Sequence, residues 1–248
     1  ECNMYHYRPR VRGPNVKETG QILHAYYEHV KNLSGTSDRP STFLQNGGFH
    51  PSGRFFLVRP QMGGKKVAVV APKTNKLVSI LETGGVNPHP GWVRISYIPE
   101  HGPFWATTHF GDEYIALIGP DPEGHPDNAW KVVELLEGQG GGRLFVKTHP
   151  NSTNLWVDAP LNPEPEIAAS IAVFDVNNLS AGYEVLPIGE WSGITEGVRR
   201  VVQGEYNKEG TEIWFSVWNA RDQESAIVIV DDKTRTLSHV IRNPRLIT

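Results

Sequence analysis

The chain has 248 residues and a net charge of -3 with no long basic run, so its electrostatics give no case for nucleic-acid binding. No apolar stretch approaches the roughly 18 residues of a membrane-spanning helix, which argues against membrane insertion. A single cysteine, Cys2, excludes an internal disulfide and a Cys-x-x-Cys-His haem attachment, while 25 glycines and 19 prolines point to a chain broken by many turns.

In chain order, residues 3–9 (Asn-Met-Tyr-His-Tyr-Arg-Pro) begin in strand-like sequence with no leader at Glu1, so a mature product or a fragment is expected. Gln21 to Leu33 carries apolar residues at Ile22, Leu23, Tyr26, Val30 and Leu33; this spacing also fits a helix, but the segment is read as a strand. From there a unit recurs about four times, each copy ending its first strand in a tight turn. These strands are Phe43 to Phe49 before His50-Pro-Ser-Gly53, and Val93 to Ile98 before Pro99-Glu-His-Gly102. The other two are Arg143 to Thr148 before His149-Pro-Asn-Ser152, and Arg200 to Tyr206 before Asn207-Lys-Glu-Gly210. Each turn is followed by further apolar strands, as in Arg54 to Val58, Lys66 to Val70 and Leu77 to Leu81. The third strands end at Ala71, Gly119, Asp175 and Asp231, at intervals of 48, 56 and 56 residues. Four strands per unit and a period near 50 residues predict a β-propeller of about four to five blades. Such an array leaves open edges, so further blades are expected from outside the chain.

The first strand of a propeller blade lines the central channel, and equivalent positions converge there. Counting back four or five residues from each turn selects Gln45 or Asn46, Arg94 or Ile95, Phe145, and Gln203. The loop Asn87-Pro-His-Pro-Gly91 adds His89 to the same rim. Amides, an arginine, an aromatic ring and an imidazole suit a flat, conjugated, anionic ligand: rings stack, guanidinium forks to carboxylate, and amides bond the periphery. Plainer roles exist for each. Phe145 also fits a core position, Gln203 a backbone-satisfying one, His89 a stiff turn, and Trp218, alternating with Ser216 and Trp214, ordinary packing. His109 and His149 lie at strand ends and could join His89 in a metal site, but no pair has the tight spacing of metal ligands, so no metal site is assigned. His50 and His125 read as turn residues. Gly140 to Gly142 lack the lysine and helix of a phosphate loop, and there is no Gly-x-Ser-x-Gly.

Several stretches together carry a resemblance. They include His6-Tyr-Arg-Pro9, Pro88-His-Pro-Gly91, Ala116-Leu-Ile-Gly119, Ala129-Trp-Lys131, Leu144-Phe-Val-Lys-Thr-His-Pro150, Val201-Val-Gln203 and Trp214-Phe-Ser-Val-Trp-Asn219. With them the chain resembles the haem d1 propeller of cytochrome cd1 nitrite reductase over essentially its whole length. The resemblance implies that residues 1–248 are the C-terminal half of an eight-bladed d1-binding propeller. It also implies non-covalent haem d1 and a c-type haem only on a domain or partner outside this chain. The implied enzyme is a periplasmic homodimer of denitrification that reduces nitrite to nitric oxide with electrons from a c-type cytochrome or cupredoxin.

The family's pocket carries two distal histidines that protonate bound nitrite. One falls on His89; the other falls on Leu44-Gln-Asn-Gly-Gly48, where this chain has Gln45, able to donate a hydrogen bond but not a proton. Phe145, Gln203 and Trp218 match residues lining the macrocycle. Trp92 stands where the family has an arginine, and Arg94, two residues on, is the candidate for a haem carboxylate. The proximal ligand lies upstream in the family, so its source is expected outside this chain. Two further readings are a haem d1 maturation protein, either dehydrogenase or carrier, and a cofactor-free propeller scaffold.

Overall fold

The computed structural model describes residues 96–219 and 224–246 continuously, preceded by 11–12, 15–16, 21–26, 34–38, 44–50, 52, 54–60, 64–71, 74 and 76–90. These form five antiparallel sheets in succession. The first holds β1 (Val11–Arg12), β2 (Asn15–Val16), β3 (Gln21–Tyr26) and β4 (Ser34–Asp38), with β3 bonded to the other three. The ambiguous segment is therefore a strand across Gln21–Tyr26; its remainder, 27–33, lies outside the described residues.

Three of the other sheets are plain four-stranded meanders. The second runs β5 (Leu44–Phe49), β6 (Phe56–Pro60), β7 (Lys66–Ala71) and β8 (Lys76–Glu82). In the third, β9 (Pro88–Pro90) and β10 (Ser96–Ile98) both pair with β11 (Gly102–His109), which continues to β12 (Tyr114–Ile118) and β13 (Val132–Glu137). The fourth runs β14 (Val146–Lys147), β15 (Asn154–Asp158), β16 (Ile171–Asp175) and β17 (Tyr183–Leu186). The fifth runs β18 (Arg200–Tyr206), β19 (Glu212–Asn219), β20 (Glu224–Asp231) and β21 (Thr236–Arg242). Among the described residues no helix is long and apolar enough to cross a membrane.

The near-continuous apolar runs follow from burial on both faces of a sheet. Along β11, Phe104 and Ala106 pack toward the fourth sheet with Leu155, Val157 and Phe174, while Trp105 packs toward the second with Leu57 and Val69. Along β15 the neighbour Trp156 turns the other way, to Phe215 and Val217 of the fifth sheet. A sheet that buries alternate residues against the sheet before and the sheet after is a propeller blade. Phe104, fully buried between two blades, carries a direct test. Phe104→Ala should lower stability by about 3–5 kcal/mol, read from chemical unfolding midpoints, because lost transfer energy and a cavity add.

Tight turns close the first strands, and glycine ends two of them for a steric reason. Gly102 and Gly210 have φ of 84° and 77°. A Cβ on Gly210 would also lie 2.1 Å from the His149 ring.

Two details depart from the sequence reading. His89 does not sit in a loop: Pro88–Pro90 is a strand whose His89 stands opposite Thr108. Proline lacks an N–H and is tolerated in such an innermost strand, where the ladder does not need both edges. The first strand of the fourth sheet is only Val146–Lys147, shorter than expected. The N–H groups of Leu144 and Phe145 are taken instead by the side chain of Asp158.

Candidate functional site

The innermost strands deviate from the regular ladder at the positions singled out from the sequence. In β5 the register shifts between Gln45 and Gly47, and in β18 between Val202 and Glu205. A glycine with no room for a side chain follows the first bulge and lies within the second: a Cβ on Gly47 would meet Leu57 O at 2.5 Å, and one on Gly204 would meet Phe215 at 2.7 Å. A bulge re-aims one side chain out of the ladder. At Gln203 it does so through a φ of 50°, an uncommon conformation for a residue other than glycine and a cost of about 1–3 kcal/mol. The Gln203 side chain is exposed.

His89 lies at the centre of the described group. It is 6% exposed, and its ring makes edge contacts with Phe110 (centroids 4.7 Å apart) and Phe145 (5.8 Å). Its Nδ1 is 2.5 Å from the carbonyl oxygen of Leu144. Since a carbonyl only accepts, Nδ1 carries the proton, and Nε2 is the ring position that gains or gives up the second one. Burial lowers the His89 pKa below its ordinary 6.5; the Leu144 carbonyl opposes this and the positive charge of Arg59 adds to it.

Arg59, from β6, is itself buried, donates to Pro88 O at 3.3 Å, and holds its guanidinium 5.9 Å from the Phe110 ring. Asp158 closes β15 at the equivalent place. Its Oδ1 accepts from the N–H of Leu144 (3.0 Å) and Phe145 (2.8 Å), and its Oδ2 from the N–H of Gln203 (3.0 Å). Each of these two charges thus grips the innermost strand of the following blade. Burial raises the Asp158 pKa to about 6 against the pull of those three donors and of Arg143. Because Arg59 repels the charged form of His89, Arg59→Gln should move the His89 titration to higher pH, as followed by the imidazole resonances in NMR. An unmoved midpoint would mean the two groups do not communicate.

The residues expected from the sequence are thus distributed unevenly. His89 and Phe145 touch, and Phe145 and Gln203 are tied through Asp158. The backbone of Gln45 stands opposite Arg59, whose side chain reaches the strand of His89. Arg94 lies outside the described residues. Trp218 is half-buried opposite Arg200, on the face of β19 shared with Trp214 and Ser216 and turned away from the fourth blade. Among the described residues no ring contact or hydrogen bond joins it to His89.

Sequence reasoning missed Arg59, Phe110 and Asp158. The available signal was a charge closing an apolar second strand, in Phe56-Leu-Val-Arg59 and again in Leu155-Trp-Val-Asp158. His109, weighed as a ligand, is instead a buried structural histidine, with Nδ1 2.6 Å from Tyr114 O and Nε2 2.9 Å from Thr83 Oγ1. No metal-binding cluster of His, Cys, Asp or Glu occurs among the described residues. His125 pairs with Asp121 in its turn, as a turn residue should.

Fold and rim together define a β-propeller segment with a histidine and aromatic cluster at the inner strands. The family profile of the cytochrome D1 heme domain matches residues 7–248, and the chain belongs to that family. A nitrite reductase of Stutzerimonas stutzeri is 43% identical over 98% of this chain and 46% of its own length. The chain therefore spans about half the length of this curated relative. Two solved structures share the fold alone. A dihydro-heme d1 dehydrogenase, NirN, in complex with DHE superposes with a TM-score of 0.74 at 18% identity, over 94% of this chain and 45% of its own. The hydrazine synthase of Kuenenia stuttgartiensis gives a TM-score of 0.66 at 14% identity, over 95% and 63%.

Proposed function

We propose that this chain binds haem d1 non-covalently and serves the reduction of nitrite to nitric oxide, with His89 as distal proton donor and Gln45 in place of a second one. The residues present fit the group: half-buried Phe145 and Trp218 offer ring faces, Gln203 an exposed amide, and Arg59 a cation near the same rim. When bound, haem d1 supplies the iron that holds nitrite and passes on one electron. The overall change consumes nitrite, two protons and that electron, and releases nitric oxide and water by breaking one N–O bond.

The observation that carries the reading is the setting of His89. The Leu144 carbonyl fixes its Nδ1 proton, and Phe110 and Phe145 hold the ring edge-on, so a proton delivered by this residue leaves from Nε2. Gln45 contributes a hydrogen bond to a nitrite oxygen but no proton. Arg94 takes a haem carboxylate. In line with the resemblance to cytochrome cd1 nitrite reductase, the working protein is a periplasmic homodimer of denitrification fed by a c-type cytochrome or cupredoxin, with any c-type haem on a separate domain or partner.

The test is anaerobic turnover of nitrite by the haem-loaded protein with excess reductant, detecting nitric oxide. Nitric oxide formation abolished in a haem-free control supports the reading. Haem uptake without nitric oxide would favour a d1 maturation protein, either dehydrogenase or carrier, the reading that Gln45 favours because a single histidine suffices there. Failure to take up haem would leave a propeller scaffold.

A further inference from the structure

Asp158 and His89 meet the same peptide group from opposite sides. The amide linking Leu144 to Phe145 presents its C=O to His89 Nδ1–H and its N–H to Asp158 Oδ1, 2.8 Å away. The preceding N–H, that of Leu144, bonds the same oxygen at 3.0 Å. From this geometry we infer that Asp158 is a positioning residue for His89: acting through the Leu144–Phe145 peptide, it holds the carbonyl that orients the imidazole and favours the imidazolium form.

The physical argument is polarisation. A negative charge on the N–H side of an amide draws electron density toward the carbonyl oxygen, and hydrogen bonds in such a chain strengthen one another in a low-dielectric interior. A more negative Leu144 oxygen binds an imidazolium Nδ1–H better than a neutral one, so the ionised carboxylate favours the charged ring. Asp158 is 2% exposed, so solvent screens this little. The charged groups around the pair come from other elements. Arg59 of β6 disfavours the imidazolium directly, and Arg143, buried just before β14 with its pKa lowered to about 10 by burial, helps keep Asp158 ionised. His89 thus lies between a cation that suppresses its charge and a carboxylate that restores it across one peptide. The third bond of Asp158, from Gln203 N–H, ties the strained bulge of β18 to the same carboxylate.

This inference rests on His89 being the proton donor of the proposed reaction, but its test needs neither haem nor nitrite. With histidine labelled by nitrogen-15 and His89 assigned from an H89Q variant, the ring nitrogens are titrated by NMR in the wild type and in Asp158→Asn. Asparagine keeps an oxygen for the Leu144 and Phe145 donors but loses the charge and the acceptor of the Gln203 N–H. The His89 midpoint should move to lower pH in D158N, with Nδ1 remaining the protonated nitrogen of the neutral ring; an unmoved midpoint would overturn the inference. If D158N does not fold, the wild type still decides. There the Phe145 amide resonance should shift as Asp158 ionises, and the His89 ring signals should show a step at the same pH. A His89 titration without that step would reduce Asp158 to a structural staple. Loss of nitrite turnover with both NMR signatures intact would count against the proposed function alone.

Discussion

Replacing His89 by alanine should reduce nitrite turnover by about a hundred- to ten-thousand-fold while leaving haem d1 uptake in place, the range expected when a general acid is removed. The imidazole is buried between Phe110 and Phe145 with one nitrogen committed to the Leu144 carbonyl, a setting that selects a single proton-transfer position. Burial, and secondarily Arg59, hold its pKa below 6.5, which sets the sign of the pH effect. The imidazolium is the proton donor and dominates only below that lowered value. Turnover in the wild type should therefore rise as pH falls through it and decline toward neutral and alkaline pH. The same lowering means that the folded state binds its proton less readily than the unfolded chain. His89 accordingly contributes stability that is complete above the unfolded value of about 6.5 and is lost as pH falls through the folded one. In His89→Ala the acid rise in turnover should vanish together with the rate. Should haem uptake fail instead, His89 would be a structural residue rather than a donor.

The second large effect runs in the opposite direction. Gln45→His should raise nitrite turnover by about tenfold or more under saturating electron supply, since it supplies a proton where an amide only donates a hydrogen bond. Gln45 lies at the register shift of β5, opposite Arg59, so its backbone belongs to the same part of the rim as the strand of His89. The positive charge of Arg59 should also hold an introduced imidazole toward its neutral form, placing the gain at mildly acidic pH. The measurement is steady-state nitric oxide production across pH. An unchanged rate would show that the single histidine already suffices and that the substitution carries no kinetic cost.

Much of this architecture was legible in the sequence because a propeller writes its period plainly. The third strands ending at Ala71, Gly119, Asp175 and Asp231 form β7, β12, β16 and β20, each paired with the strands on both sides, with Gly119 itself just beyond the end of β12. The positions counted back from the turns also lead to real irregularities: Gln45 and Gln203 flank or form the bulges, and Phe145 meets His89. Side-chain substitution for ladder bonds is what a strand pattern cannot display. Asp158 shortens β14 by taking its N–H groups, and only three-dimensional proximity reveals that this carboxylate, at the end of a different strand, also reaches Gln203. Arg59 escaped notice for the same reason, since its partner Pro88 O lies 29 positions along the chain. Pro88–Pro90 read as a loop because two prolines flank His89, yet an innermost strand with one ladder partner tolerates both.

The central claim is that this propeller holds haem d1, and the visible spectrum of the purified native protein tests it most directly, recorded before and after dithionite with the extracted haem identified by mass. The account predicts a reducible d1 signature whose haem leaves on mild extraction, as a non-covalent group should. A colourless protein that also takes up no haem d1 on titration would contradict it.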